Sequence, residues 1–216
     1  MKKTILRWSV YLLGLFSLAF GIVLSTKVNL GISPISSVAY SISVIWKFDF
    51  DIANNLVYVV FIAAQFALRG KSSRVVDLLQ LAVSLVFNVF VKLLSTWLTY
   101  TPDKLYSWVN IGLLLASVVF IGIGVSASVN MKLIPNPGDG IVHAIAEKTG
   151  LEHGLTKNIF DISCVCVTAA LGLIFAGEFI GLHFGTVVAM LGVGRVVALV
   201  NRLLKQKVYI PLTTKE

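Results

Sequence analysis

The sequence predicts an all-α polytopic membrane protein: six transmembrane helices plus two re-entrant half-helices, arranged as an inverted 3+3 repeat in a single membrane domain, residues 1–216. Three observations lead there. The 216 residues are 57% hydrophobic and 13% charged, with a mean hydropathy of +0.90, outside the range of a soluble domain. Apolar runs near the ~20 residues that cross a bilayer recur along the chain. Two proline-broken stretches, about a hundred residues apart, interrupt those runs.

Taken in order, Lys2, Lys3 and Arg7 precede an apolar run over 6–29. A signal peptide would look similar, but this run is longer than a typical h-region and no Ala-x-Ala site follows, so it reads as a retained first helix. The first break, Lys27-Val28-Asn29-Leu30-Gly31-Ile32-Ser33-Pro34, opens a short amphipathic segment, 34–47. As a helix that segment is roughly 21 Å long, too short to cross comfortably. Runs 53–69 and 75–98 flank a basic loop with Arg69, Lys71 and Arg74. Interfacial aromatics Trp97, Tyr100, Tyr106 and Trp108 bracket the next loop, Thr99–Ser107. Run 108–131 ends at the second break, Met131-Lys132-Leu133-Ile134-Pro135-Asn136-Pro137-Gly138-Asp139-Gly140, which opens segment 137–148. Runs 156–175 and 181–203 complete the chain, the last ending at Arg202, Lys205 and Lys207.

The positive-inside rule fixes the topology. It puts both termini in the cytoplasm and every strong basic cluster on that side, provided the two short segments leave and return on one side. Four full spans per half would put Arg69, Lys71 and Arg74 outside. The net charge of +8 sits at the ends of apolar runs, next to anionic lipid, and carries no basic face suited to nucleic acid.

Setting residue n beside n+103 pairs Gly21 with Gly124, Ser25 with Ser128, Leu30 with Leu133 and Pro34 with Pro137. It also pairs Ile42 with Ile145, Asn55 with Asn158, Ala67 with Ala170 and Leu68 with Leu171. Repeat one covers 6–98 and repeat two 108–203. Three spans per half is an odd number, so the halves have opposite orientation, the layout that places solute sites near the midplane of transporters. Irregular backbone at that depth must line a protein- or water-filled hollow, so the two breaks should meet.

At three motifs the chain resembles the YczE/YyaS/YitT group of bacterial integral membrane proteins. They are Leu30-Gly31-Ile32-Ser33-Pro34, Pro137-Gly138-Asp139-Gly140, and Gly185-Thr186-Val187-Val188-Ala189 leading to Gly192 and Arg195. The likeness spans nearly the whole chain and implies a bacterial inner-membrane location, but no substrate. Ile35-Ser36 departs from the Trp-Asp of many relatives, so an acidic residue is lost from the first half.

Candidate site residues follow from charge at depth. Asp139 is expected at a half-helix N-terminus, as a solute-binding carboxylate or a helix cap. Asn136, Ser33, Ser36 and Ser37 supply amide and hydroxyl groups to the same breaks. Asp161 and Arg195 lie at compatible depths and are expected to face each other or a wet cavity. Asn55 and Asn158, paired by the repeat, would bond the neighbouring break or touch solute. His143, of a residue type that titrates near neutral pH, sits two turns into the second half-helix. Cys164 and Cys166, at i and i+2, face different ways and act as packing. The small residues Gly122, Gly124, Ser126, Ser128, Gly185, Ala189, Gly192 and Gly194 allow close helix contact, within the chain or in a homodimer.

No catalytic set, metal cluster or phosphate loop emerges, so neither enzyme activity nor a cofactor is expected. The expected partners are the lipid bilayer and a small polar solute or ion, with the chain as its transporter. The alternative is a non-transporting binding module, either a substrate-capture subunit or a regulatory scaffold.

Overall fold

The structure, a computed structural model, describes residues 2–70, 75–102 and 107–213; Lys71 and Arg74 of the basic loop, and Tyr106, lie outside them. Every regular element among the described residues is helical: α1 (Lys2–Val28), α2 (Pro34–Trp46), α3 (Phe50–Arg69), α4 (Leu79–Trp97), α5 (Trp108–Asn130), α6 (Pro137–Thr149), α7 (His153–Phe175), α8 (Phe184–Leu204) and α9 (Ile210–Thr213). Six of them, α1, α3, α4, α5, α7 and α8, are long and apolar enough to cross a membrane. The other two long elements, α2 and α6, have 13 residues each, about 20 Å of helix.

Local chemistry sets the ends of α2 and α6. Each starts on a proline, whose missing N–H costs nothing in the first turn. The residue before each proline is forced into extended backbone: Ser33 at φ −58°, ψ 143° and Asn136 at φ −61°, ψ 141°. Each ends on a left-handed residue, Lys47 at φ 56° and Gly150 at φ 71°. The same left-handed twist precedes both breaks, at Asn29 (φ 56°) and Lys132 (φ 49°). All of these correspond at the 103-residue offset, as do the starts of α3 and α7 at Phe50 and His153.

Packing follows the same correspondence. The central pair is α1 against α5, with α4 on α1 and α8 on α5. The short helices cross over, α2 lying on α7 and α6 on α3. Leu18, Ile22, Val118, Ile121, Val125 and Val193 fill the centre. Small residues let the backbones approach: a methyl at Gly124 would lie 2.5 Å from the Leu18 nitrogen, and one at Gly21 2.8 Å from the Ile121 nitrogen. Gly122 meets Val196 and Gly192 meets Val118, so the small-residue stripes of α5 and α8 are spent within the chain.

The chain's end departs from expectation. After α8 a π-helical turn, Lys205–Tyr209, leads into α9 and bends the chain back over α1 and α5. Tyr209 is buried against Tyr11, Leu15 and Met131, with its hydroxyl 3.0 Å from Ser126 Oγ. Trp97 and Trp108 are 84% and 89% exposed, as interfacial aromatics are.

Adding one methyl separates the two kinds of glycine in α5. Gly124→Ala forces α1 and α5 apart and should destabilise by about 1–3 kcal/mol, whereas Gly112→Ala, with no atom within 4 Å of its methyl, should be neutral or stabilising by up to ~1 kcal/mol. Thermal melts of both variants in one detergent check the contrast.

Candidate solute site

The second break runs inward along α1, one bond per turn. Arg7 Nε donates to the Met131 carbonyl and its Nη2 to the Lys132 carbonyl, each at 2.7 Å. One turn on, the Tyr11 hydroxyl donates to the Ile134 carbonyl at 2.6 Å. Two turns further, Asn136, Gly138 and Asp139 share a small cavity with Leu18 and Ile22. From there α6 turns back, and Glu147 in its last turn meets Arg69 at the end of α3, at 3.1 Å.

The first break arrives from the other end of α5. The Gly185 N–H donates to the Leu30 carbonyl at 2.6 Å, beside Leu114. Gly31, at φ 127°, packs so closely on α8 that a methyl would lie 2.6 Å from the Thr186 nitrogen; only glycine fits there. Ser33, Pro34, Ile35 and Ser36 then line the same cavity, beside Ile121, Val125 and Val193. Helix α2 turns back in its turn, and Trp46 packs at a tilt against Phe175 at the end of α7, with ring centroids 5.0 Å apart.

The two breaks therefore meet: a methyl on Gly138 would touch Ile35 at 3.3 Å. Their shared cavity holds about 40 Å³, room for an ion or a water or two. Its charged lining is Asp139, Lys157 and Asp161. Lys157 and Asp161, one turn apart on α7, form a buried ion pair. Asp139 is 6% exposed, and its carboxylate makes no hydrogen bond or ion pair among the described residues. Tyr58 closes one wall, beside Asn136. Asp139 also lines a larger cleft of about 620 Å³, which continues past His143 and Glu147 on α6 to Arg69 and Lys132.

Of the residues expected at the site, Asp139, Asn136, Ser33, Ser36 and Asp161 come together at this cavity. Asn136, not Asp139, caps α6, accepting from the Gly138 N–H at 3.3 Å. That leaves the Asp139 carboxylate free to face the cavities. Ser33 Oγ donates to Ser36 Oγ at 3.0 Å. Ser37 points away and ties α2 to α7, 2.9 Å from Thr168 Oγ1.

Of the two outcomes expected for Asp161 and Arg195, facing each other or a cavity, Asp161 takes the second and the pairing does not form. Arg195 is exposed on α8, where a long side chain reaches headgroups, and Lys157 is the partner of Asp161. Neither repeat-paired amide bonds a break. Asn55 Oδ1 accepts from Asn88 Nδ2 at 2.9 Å, joining α3 to α4, while Asn158 is exposed beside Gly194. His143 lies in the large cleft, its Nδ1 3.3 Å from Glu147 Oε1.

Sequence reasoning missed Lys157, Tyr58 and a glutamine clasp. Gln65 and Gln80 exchange hydrogen bonds at 3.1 and 2.9 Å, and Gln65 Nε2 also reaches the Pro137 carbonyl at 3.4 Å. Gly140 leaves room for the clasp: a methyl there would lie 2.7 Å from Gln80 Oε1. The i, i+4 spacing of Lys157 and Asp161 was a usable signal. The clasp, joining α3 to α4, had none.

Comparison with known proteins bears out the resemblance carried by the three motifs. The chain belongs to a family of unknown function, DUF6198, whose model matches residues 5–202. It is 27% identical over 175 residues to the uncharacterized membrane protein YczE of Bacillus subtilis (strain 168), over 79% of this chain and 77% of that protein. No solved structure matches. With six apolar helices, the chain is a multi-pass membrane protein.

Removing one partner of a buried pair leaves an uncompensated charge. Lys157→Met strands Asp161 beside Asp139 and should cost about 3–5 kcal/mol, whereas Arg195→Met should stay within about 0.5 kcal/mol. Thermal unfolding of the two purified variants tests the reassignment.

Proposed function

We propose that this chain is a small-solute or ion transporter of the bacterial inner membrane. In this reading α2 and α6 are re-entrant half-helices of an inverted repeat, and the site lies between their N-termini. One observation carries it: the two breaks meet at a cavity lined by Asp139, Lys157 and Asp161. Supporting it, each short helix starts beside that cavity and ends back at the end of a spanning helix, α2 at Phe175 and α6 at Arg69. The basic residues Arg7, Arg69, Lys132 and Lys148 gather at the α6 end, which the positive-inside rule assigns to the cytoplasm together with both termini.

The N-termini of two helices and the Lys157 ammonium bring positive charge to the centre, and the carboxylates of Asp139 and Asp161 offset it. Such a mixed lining suits a small polar or ionic solute better than an apolar one. In this reading the large cleft corresponds to an inward-facing state. It opens the Asp139 wall toward the cytoplasm, while the tight Gly31–Thr186 contact closes the opposite side. Alternating access then consists of closing the cleft and parting that contact.

Two measurements test the reading. With Cys164 and Cys166 replaced by serine, single cysteines at Lys47 and Lys148 are treated with a membrane-impermeant thiol reagent on intact cells. Position 47 should label and position 148 should label only after permeabilisation; the same sidedness at both would remove the inverted layout. A ligand thermal-shift screen on the purified protein should give at least one hit that Asp139→Asn abolishes. A hit unaffected by that change would take Asp139 out of the site.

A further inference from the structure

Three ionisable side chains stand one turn apart on a single face of α6: Asp139, His143 and Glu147. All three line the large cleft, which runs from the exposed Glu147 at one end to the buried Asp139 at the other. Among the described residues only Asp139 lines both hollows, so it stands between the cleft and the central cavity. No donor among the described residues bonds it, which is unusual for a carboxylate so deeply buried. His143 Nδ1 lies 3.3 Å from Glu147 Oε1.

We infer that Asp139 is a proton-exchanging carboxylate, loaded through this cleft by way of Glu147 and His143. The atoms balance simply. A proton passes from Glu147, itself replenished by solvent, to Nδ1 of His143, and the ring releases one from Nε2 to water in the cleft. That water delivers a proton to a carboxylate oxygen of Asp139, giving a neutral acid. Loading changes the central cavity's charge by one: carboxylates 139 and 161 beside ammonium 157 become one neutral acid beside an ion pair. A charge carried across the cavity wall is what a coupled transporter needs.

Other charged groups face this route from each neighbouring element. From α7, Lys157 and Asp161 face Asp139, and the His153 ring lies 6.2 Å from that of His143. From α1 and α3, Tyr11 and Tyr58 lie near Asp139. At the mouth, Arg69 is engaged by Asp77 at 3.2 Å and Glu147 at 3.1 Å, with Lys132 and Lys148 on the rim. The α5 wall is Ser128 and Val129.

The inference builds on the transport reading for its purpose, yet its test needs no solute, so either can fail alone. Purified full-length protein in lipid nanodiscs is titrated with acid while the infrared stretch of protonated carboxyl groups is followed. Wild type should gain a buried-carboxyl band that Asp139→Asn lacks, Asp139→Glu retains at a shifted position, and Glu178→Gln, in the exposed turn after α7, leaves in place. On transfer to deuterated buffer the band should exchange about 10²-fold more slowly in His143→Gln. A band that survives Asp139→Asn, or is missing from wild type, would overturn the assignment. Displacement of the band by sodium at fixed pH would overturn it in favour of a metal cation. An unchanged exchange rate in His143→Gln would overturn the route.

Discussion

Backbone that leaves the helix inside a bilayer has no water to satisfy its polar groups, so the protein must supply every partner. In the proposed re-entrant arrangement the architecture answers that constraint twice. On one side Arg7, Tyr11 and the Gln65–Gln80 clasp take the carbonyls of Met131, Lys132, Ile134 and Pro137. On the other, α8 does the work with its own N-terminus, through Gly185 N–H and Thr186 Oγ1. With these bonds made, two helix N-termini can be held at the centre of the molecule. Charge can then be held there as well.

That charge is arranged asymmetrically. The second half contributes Asp139, Lys157 and Asp161, while the equivalent positions of the first half hold Ser36, Asn54 and Tyr58. The backbone repeats and the chemistry does not. The short helix that carries the carboxylate faces an uncharged counterpart across the cavity. Close glycine contacts hold α1 against α5 and Gly31 against α8.

Much of this was legible because prolines act locally. Pro34 and Pro137 fix where α2 and α6 begin whatever surrounds them, and the 103-residue offset then carries through to α3 and α7. The meeting of the breaks followed from the cost of unsatisfied backbone in lipid. Which side chains face inward was harder to read. Arg195 and Asp161 match in depth, but depth does not fix rotation about a helix axis, and Arg195 turns outward while Lys157 turns in. Repeat pairing likewise aligned Asn55 with Asn158, although α4 engages the first and leaves the second exposed, since pseudo-symmetry of backbone does not extend to side-chain partners. The return of Tyr209 onto α1 and α5 depends on a π-helical turn, and Lys205–Tyr209 carries neither proline nor glycine to mark it.

The most direct test of the central claim is a crosslink across the two breaks. With Cys164 and Cys166 replaced by serine, the pair Ile35→Cys and Gly138→Cys joins residues that are 103 apart in the chain and in contact in the fold. Mild oxidation, or a short bifunctional thiol reagent, should couple them within one molecule in native membranes, read as a mobility shift that reductant reverses. Free thiols at both positions under conditions that couple a control pair between α1 and α5 would mean that the breaks do not meet.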